Sequence, residues 1–331
     1  MSGKASVEAP SNIAFIKYWG TRDRERTLPF NPSISMTLSG CVSRCTVEHQ
    51  AAGTEHEVLW RDGGAFAPAP EGFAGGVRAH LDRLKEWAGV DGSFHVATEN
   101  SFPTGAGMAS SASGFAALTL ATLAALDREA PPEELSRLAR LSGSGSAARS
   151  VLGGYVEWPV GGDDGPAAVL APAGHWDLCD VVAVVDRSPK EVSSRQGHER
   201  APTSPYWKRR LEELPARLDE VRRAIVERDL ERLGTVAEHE AVDMHLVAMS
   251  SRPPVLYWTA GTLAVLELAR RLRQKGVGVW ATIDAGPNVH LICAPADEPA
   301  VTTGLAALDA VESVITDRVG SGPRRLEKHL V

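Results

Sequence analysis

The sequence predicts a two-domain α+β protein. Its 331 residues leave room for about two domains of roughly 150 residues each. The first half is built of short β-branched runs between Gly- and Pro-rich turns, with one long apolar helical block set among them. The second half carries long stretches of helical spacing that give way to a strictly alternating strand and a hairpin. The turn cluster Gly161-Gly-Asp-Asp-Gly165-Pro166 and the strand that follows it place the boundary near residue 180, dividing 1–180 from 181–331.

Ile13-Ala-Phe-Ile16 is a continuous apolar run suited to a buried strand. Cys41 to His49 and His56 to Trp60 alternate and carry β-branched residues, so all three runs are expected to pair in one sheet. Gly53 and the stretch from Gly63 to Gly72 read as loops, and Val77 to Trp87 has helical spacing. Ala109 to Leu126 is almost wholly small and apolar, lacks proline and has only Gly114 inside, which predicts a central buried helix. Pro131-Pro132 opens a helix to about Leu141, and Gly154 to Trp158 is a strand. Beyond the turn cluster, Asp180 to Val185 is a buried strand. Helices are expected from Pro205 to about Asp229, from Leu230 to Met249 and from Val255 to Lys275, the last stopped by Gly276. Val277, Val279, Ala281 and Ile283 share one face of a half-buried strand ending at Asp284, and Val289 to Cys293 returns across the Ala285-Gly-Pro-Asn288 turn.

Hydrophobic residues make up 43% and charged residues 23% of the chain, which excludes a disordered or collagen-like protein. Asp and Glu outnumber Lys and Arg by 42 to 35, a net charge of −7. There is no basic surplus to attract nucleic acid or an anionic membrane, so an anionic ligand would need a few local cations. No apolar run approaches the roughly 20 residues that span a bilayer, and Met1 to Asn12 has no signal-peptide block, so a cytoplasmic location is expected. Cys41, Cys45, Cys179 and Cys293 are too sparse for a disulfide framework, and reduced thiols are expected. Cys41-x-x-x-Cys45 has no second Cys/His pair at ligand spacing and reads as a strand with two inward small residues; no structural zinc is expected.

Five segments carry chemistry. Pro103-Thr-Gly-Ala-Gly107-Met-Ala-Ser110-Ser111-Ala112 joins glycines and paired hydroxyls to a helix start, where free amides and the helix dipole favour an anion. It lacks the Gly-Lys-Ser/Thr of a P-loop, and taken alone it is equally a tight turn with an N-cap. Lys17 follows an apolar strand, so its ammonium must find a carboxylate or an anionic ligand, or snorkel to the strand end. Asp284 opens a Gly-Pro turn, where an Asx cap is the simpler explanation, but a Lys and an Asp at the edges of buried strands are also the pair a general-base site uses. In Ser142-Gly-Ser144-Gly-Ser146-Ala-Ala-Arg149 the spacing places Arg149 on the same helix face as Ser146, where hydroxyls and guanidinium converge on one oxyanion, unless the segment is simply a capped helix with a surface arginine. Pro189-Lys-Glu-Val-Ser193-Ser194-Arg195 is a polar loop of similar make-up.

With Asn12-Ile-Ala-Phe-Ile-Lys17-Tyr-Trp-Gly20, Val192-Ser-Ser-Arg195 and Asp284-Ala-Gly-Pro-Asn288 added to the glycine-rich and serine-rich segments, nearly the whole chain resembles the diphosphomevalonate decarboxylase branch of the GHMP kinase superfamily. The resemblance implies a two-domain GHMP kinase fold: a ribosomal protein S5 domain 2-like ATP-binding domain over 1–180 and a GHMP C-terminal domain over 181–331. It implies ATP-dependent decarboxylation of mevalonate 5-diphosphate to isopentenyl diphosphate, with ATP and Mg²⁺ as cofactors, a small-molecule substrate, no nucleic-acid or membrane partner, and a homodimer. By the same resemblance Asp284 handles the proton of the substrate's tertiary hydroxyl, Lys17 keeps Asp284 anionic, Arg149 grips the substrate carboxylate, and Asn12 positions Arg149. Pro103, Gly105, Gly107, Met108, Ser110 and Ser111 would hold ATP, with Ser111 on the metal. Tyr18, Ser144, Ser146, Ser194 and Arg195 would hold the rest of the substrate.

Two positions depart from the family pattern. The lysine that normally follows Tyr-Trp-Gly is Thr21 here, with Arg22 beside it, and His198 stands where the Ser-Ser-Arg segment usually continues to Gly-Met. These departures make mevalonate 5-phosphate, giving isopentenyl phosphate, a rival substrate. The residues are also compatible with a GHMP small-molecule kinase that stops at phosphorylation and with a non-catalytic metabolite-binding module.

Overall fold

The computed structural model describes residues 3–103, 110–162, 164–188 and 190–331. The chain begins with a long strand, β1 (Lys4–Ile16), and a small ribbon of β2 (Thr21–Asp23) and β3 (Leu28–Pro29). β4 (Ser33–Gln50) runs back along β1, and β5 (Glu57–Arg61), β6 (Ala67–Pro68), helix α1 (Glu71–Ala88) and β7 (Ser93–Asn100) follow. Helices α2 (Ser110–Ala125), α3 (Pro132–Arg140) and α4 (Ala147–Ser150) precede β8 (Tyr155–Trp158) and β9 (Ala168–Ala171). The second half runs β10 (Cys179–Val184), α5 (Ser194–Arg200), α6 (Trp207–Glu227), α7 (Leu230–Met249), α8 (Ala260–Gln274) and β11 (Val279–Ile283). It closes with β12 (Val289–Cys293), α9 (Glu298–Ala306), β13 (Ser313–Arg318) and β14 (Arg324–Arg325). The α+β class expected from the periodicities is the class observed.

One sheet has the order β14-β1-β4-β7-β5-β6, with β8 on β4 and β9 on β8. The other has the order β11-β12-β10-β13. The three strands expected to pair do share the first sheet, but β7, which was not expected from the local pattern, lies between β4 and β5, antiparallel to one and parallel to the other. Helices α1 and α2 cover one face of this sheet around Val47, Phe94 and Val96. The opposite face, through Ile13, Phe15, Ile34 and Met36, shares a core with α6 and with Leu178, Val182 and Val184 of the second half. α8 and α9 cover the far face of the second sheet.

A register shift in β1 between Pro10 and Asn12 decides what reaches the junction of the halves. Side chains alternate along a strand, and one irregular residue exchanges the faces. Val7 and Ala9 therefore join the core under α1 and α2, whereas Ile13 and Phe15 join the core shared with the second half. Asn12 and Ala14 are left to line a cavity.

Several boundaries differ from expectation for local reasons. α1 starts at Glu71, inside the segment read as a loop, because Ala74 and Val77 are buried in the core beneath α2. α8 starts at Ala260 and not at Val255: Thr259 and Thr262 form a reciprocal capping box, while Val255 and Tyr257 pack on Trp19 and Trp207. The polar loop after residue 188 becomes helical at Ser194, where Ser193 and Gln196 form a second capping box. All four cysteines are buried, and none of them is in a disulfide.

The end of the chain returns to the first sheet. Gly320 donates to the Thr37 carbonyl at 2.8 Å, and β14 pairs with β1. Asp317 of β13 is the anchor of this return: its carboxylate accepts from the Ser39 amide at 2.9 Å, the Ser39 hydroxyl at 2.7 Å, the Gly40 amide at 2.8 Å and the Cys41 amide at 2.6 Å. Burial pushes the Asp317 carboxyl up, but these donors outweigh it and hold the group below its ordinary value. Asp317→Asn should lower stability at pH 7 by on the order of 2 kcal/mol, since charged hydrogen bonds are lost in a buried place. A carboxyl depressed in the folded state stabilises fully above its unfolded-state pKa of about 3.9, and the contribution is lost as pH falls through the folded-state value. The wild-type and Asp317→Asn unfolding midpoints should therefore converge at strongly acid pH, and a constant difference down to acid pH would show that the charge is not what matters.

Candidate active site

Thr282 on β11 donates its hydroxyl to the Ala14 carbonyl of β1 at 3.2 Å, so the closing stretches of two strands from different halves lie side by side. Two residues beyond Thr282 is Asp284, and three beyond Ala14 is Lys17. Lys17 Nζ meets Asp284 Oδ1 at 2.7 Å, with the lysine side chain 2% and the aspartate side chain 24% exposed. The turn carrying Asp284 is fixed from outside: Asn288 Oδ1 accepts from the Val185 amide at 2.7 Å, and Thr262 donates to the Pro287 carbonyl at 2.6 Å. Burial raises the Asp284 carboxyl, yet the charges of Lys17, His290 and Arg149 prevail and hold it below the ordinary carboxylate value. Asp284 is therefore an anion with one oxygen committed to Lys17 and an edge facing the cavity.

Both partners of this pair are held through their backbones. The Lys17 carbonyl accepts from Asn31 Nδ2 and from an Arg210 guanidinium nitrogen, each at 3.0 Å, and the Lys17 amide donates to Glu240 at 3.3 Å. Arg210 and Glu240 are themselves an ion pair with side chains 1% and 0% exposed, and Arg217 adds a 2.9 Å bond to Glu240. The Asp284 carbonyl accepts from Nε2 of buried His245 at 3.1 Å. Burial, then the Lys17 charge, pushes His245 down to about 3, so the ring is neutral and Nε2 carries its proton.

Arg149 is 2% exposed and no described carboxylate pairs with it. Neutral oxygens hold it instead: Nε donates to Ser35 Oγ at 2.9 Å, one terminal nitrogen to Asn12 Oδ1 at 3.0 Å, and the other to Ser33 Oγ. Asn12 is oriented in turn by donating to Ser150 Oγ at 2.8 Å. Burial pushes Arg149 down to about 10, which still leaves it cationic at neutral pH. The hydroxyls that hold the guanidinium come from β4, because α4 is only one turn long and Arg149 points back across β1 and β4, while Ser144 and Ser146 line the same cavity as Arg149. A buried cation with neutral partners at a cavity edge is an anion site.

The cavity holds about 690 Å³ and is lined by Asn12, Lys17, Tyr18, Pro103, Ser110, Ser111, Ser144, Ser146, Arg149, Ser194, Arg195 and Asp284. Gly105, Gly107 and Met108 lie outside the described residues. Ser111 and Ser144 hydroxyls are 3.3 Å apart and join the α2 start to the serine-rich turn. Tyr18 Oη bonds Thr21 Oγ1 at 2.6 Å and stands edge-on to Trp158 at 5.2 Å. Gly145 passes so close to both rings that a Cβ there would collide with them. Arg195 NH2 lies 3.1 Å from where a Cβ on Gly143 would stand, at a residue whose φ of +89° favours glycine.

Sequence reasoning singled out neither Ser33 and Ser35, nor the Glu240 cluster, nor His245. The alternation Ser33-Ile-Ser35 is a signal that one face of a strand is hydroxylated, whereas nothing local marks a glutamate in mid-helix. Lys190, at the cavity rim, donates to the Ala285 carbonyl. Its pKa is lowered by burial, against the pull of Asp284.

The chain is similar to known proteins over both halves. The family model described as the diphosphomevalonate decarboxylase-like N-terminal domain matches residues 9–169, and that of the mevalonate 5-diphosphate decarboxylase C-terminal domain matches residues 180–317. The chain is 32% identical to the diphosphomevalonate decarboxylase of Candida albicans over 98% of its own length and 99% of that protein. It is also similar to the solved structure of MDDEF in complex with MVAPP, AMPPCP and magnesium, at 34% identity and TM-score 0.91, covering 99% of this chain and 100% of that one. The mevalonate diphosphate decarboxylase from Enterococcus faecalis is similar at 33% identity and TM-score 0.90, with the same coverage.

Glu240→Ala should cost about 3–5 kcal/mol of stability, because Arg210 would be left buried without its partner. A loss below about 1 kcal/mol in denaturant unfolding would show that the cluster does not hold Lys17 in place.

Proposed function

The chain belongs to the diphosphomevalonate decarboxylase family, and on that membership we propose that it converts mevalonate 5-diphosphate to isopentenyl diphosphate with ATP, releasing ADP, phosphate and CO₂ in the mevalonate route. The observation that carries the reading is a buried, carboxylate-free Arg149 facing the same cavity as the Lys17–Asp284 pair. Such a cavity suits a substrate that brings its own carboxylate and a hydroxyl to be activated. ATP supplies the phosphoryl group that turns the tertiary hydroxyl into a leaving group. Asp284 orients the hydroxyl proton, or accepts it and passes it on to the transferred phosphate, and in its anionic form then favours the electron-poor carbon formed as phosphate departs. Lys17 keeps Asp284 ionised and aimed. Arg149, fixed by Asn12, Ser33 and Ser35, grips the carboxylate until it leaves as CO₂.

Pro103, Ser110 and Ser111, with Gly105, Gly107 and Met108, form the ATP side, and Ser111 would contact Mg²⁺. The exposed Ser111 hydroxyl at the start of α2 fits a phosphate-bound metal. Tyr18, Ser144, Ser146, Ser194 and Arg195 hold the substrate's phosphate end, and Lys190 adds charge beside Asp284. The division into an ATP-binding domain over 1–180 and a C-terminal domain over 181–331, the cytoplasmic location and the homodimer belong to the same proposal. Among the described residues no helix is long and apolar enough to cross a membrane.

A second reading, mevalonate 5-phosphate as the preferred substrate, is favoured by the Thr21 hydroxyl being bonded to Tyr18 where the family carries a lysine. A missing charged hydrogen bond is worth roughly 1.5–3 kcal/mol, or about ten- to a hundredfold in affinity for the more highly charged ligand. Comparing kcat/KM on the two substrates decides between them. Under the second reading the monophosphate wins, and Thr21→Lys moves the ratio toward the diphosphate.

Asp284→Asn should lower kcat by at least about 10²-fold while ATP binding persists. Activity within a few-fold of wild type would remove Asp284 from the chemistry. Arg149→Lys should be nearly as damaging, since a point charge does not reproduce the guanidinium fork. Equal amounts of CO₂ and ADP should form; ADP without CO₂ would indicate a kinase, and absence of substrate-dependent ADP a binding module.

A further inference from the structure

His198 lines the cavity from α5, beside Tyr18, Thr21 and Arg195. Its Nδ1 accepts the Gly20 amide proton at 2.9 Å. An imidazole nitrogen that accepts a hydrogen bond is unprotonated, so the ring is neutral and its single proton sits on Nε2. The ring is clamped between Tyr18, with centroids 4.2 Å apart, and Trp19, at 4.7 Å. Burial, then the Arg210 charge, pushes the group down to about 3, in accord with the tautomer that Gly20 imposes. No described residue takes Nε2. A rigid ring with one committed nitrogen and one free N–H is an oriented neutral donor at the end of the cavity where Arg195 and the serine-rich turn also gather.

We infer that His198 is a specificity-determining substrate residue whose Nε2–H donates to a phosphoryl oxygen at the phosphate end of the phosphorylated mevalonate. The inference rests on the substrate class proposed above. The donor has fixed direction and no charge, so it recognises an acceptor oxygen without adding to the cation count. Phosphate charge is then met chiefly by Arg195, and the histidine discriminates by position. The clamp matters as much as the donor: Gly20 sets the tautomer, and the two aromatic rings remove the freedom of the imidazole to turn away.

His198→Phe keeps an aromatic ring in the clamp and removes the donor; His198→Gln keeps a donor near the position of Nε2. In steady-state assays of the full-length protein, His198→Phe should raise KM for mevalonate 5-phosphate or 5-diphosphate about tenfold, as expected for a hydrogen bond to a charged group. KM for ATP should stay within about twofold and kcat within about threefold, and His198→Gln should recover most of the loss. If both KM values rise together, or neither changes, the inference is overturned. A wild-type long-range ¹H–¹⁵N spectrum needs no variant: the His198 Nε2–H resonance should shift on adding mevalonate 5-phosphate or 5-diphosphate and stay put with ATP alone. An unmoved resonance at saturating substrate overturns the inference while leaving the substrate class standing. Wild-type protein that neither binds nor turns over either phosphorylated mevalonate overturns the proposed substrate class, and the role of His198 with it.

Discussion

A lysine that is 2% exposed must either find an anion or give up its proton, and Lys17 finds its partner in the other half of the chain. The pair with Asp284 forms only if β1 and β11 end side by side, which the Thr282 to Ala14 hydrogen bond records. Separating the halves would strand an ammonium in an apolar surrounding and release the restraint on the Asp284 turn. Much of the neighbouring structure keeps that meeting point in register. Glu240 and Arg210 hold the Lys17 backbone from α6 and α7, and His245 and Asn288 hold the Asp284 turn.

Two buried cations at this junction are treated in opposite ways. Lys17 is neutralised by a carboxylate, whereas Arg149 is surrounded by Asn12, Ser33 and Ser35, which satisfy donors without cancelling charge. The first arrangement keeps a carboxylate ionised and pointed; the second keeps a positive charge available to an incoming anion. A carboxylate beside Arg149 would stabilise the empty protein and blunt the site. The buried cluster of Arg210, Glu240 and Arg217 belongs to neither class, because its charges face one another and not the cavity. Its place is in the framework, where breaking one partner is strongly destabilising and the geometry of Lys17 follows from keeping it whole.

The two halves are also tied at a second place. Asp317 sits in a cup of backbone amides at Ser39, Gly40 and Cys41, and the chain beyond it pairs with the first sheet. The second half therefore emerges from the first and is stitched back to it at a second place. Two attachments restrain the halves against each other, and with them Arg149 and Asp284, which line the cavity from different halves.

The α+β class, the hairpin whose turn carries Asp284, the long apolar helix and the ingredients of the site are all legible in the chain, because each rests on a local period or a local motif. Leu230–Met249 and Val289–Cys293 are legible to the residue, since both are bounded by unambiguous signals. The family resemblance is equally legible, and the comparisons bear it out across both halves. What stays hidden in the chain depends on groups far apart along it. β7 escapes detection because its place between β4 and β5 is set by its neighbours and not by its own run of residues. The start of α8 moves because a capping box outweighs apolar spacing. Which hydroxyls hold Arg149 is settled by a register shift in β1 and by the brevity of α4, neither of which leaves a mark in the local pattern. The partners of Lys17, Glu240 and His198 lie more than 170 residues away in each case that joins the halves, at Asp284, Lys17 and Gly20. Only packing in three dimensions brings such groups together, and burial then gives each contact its weight.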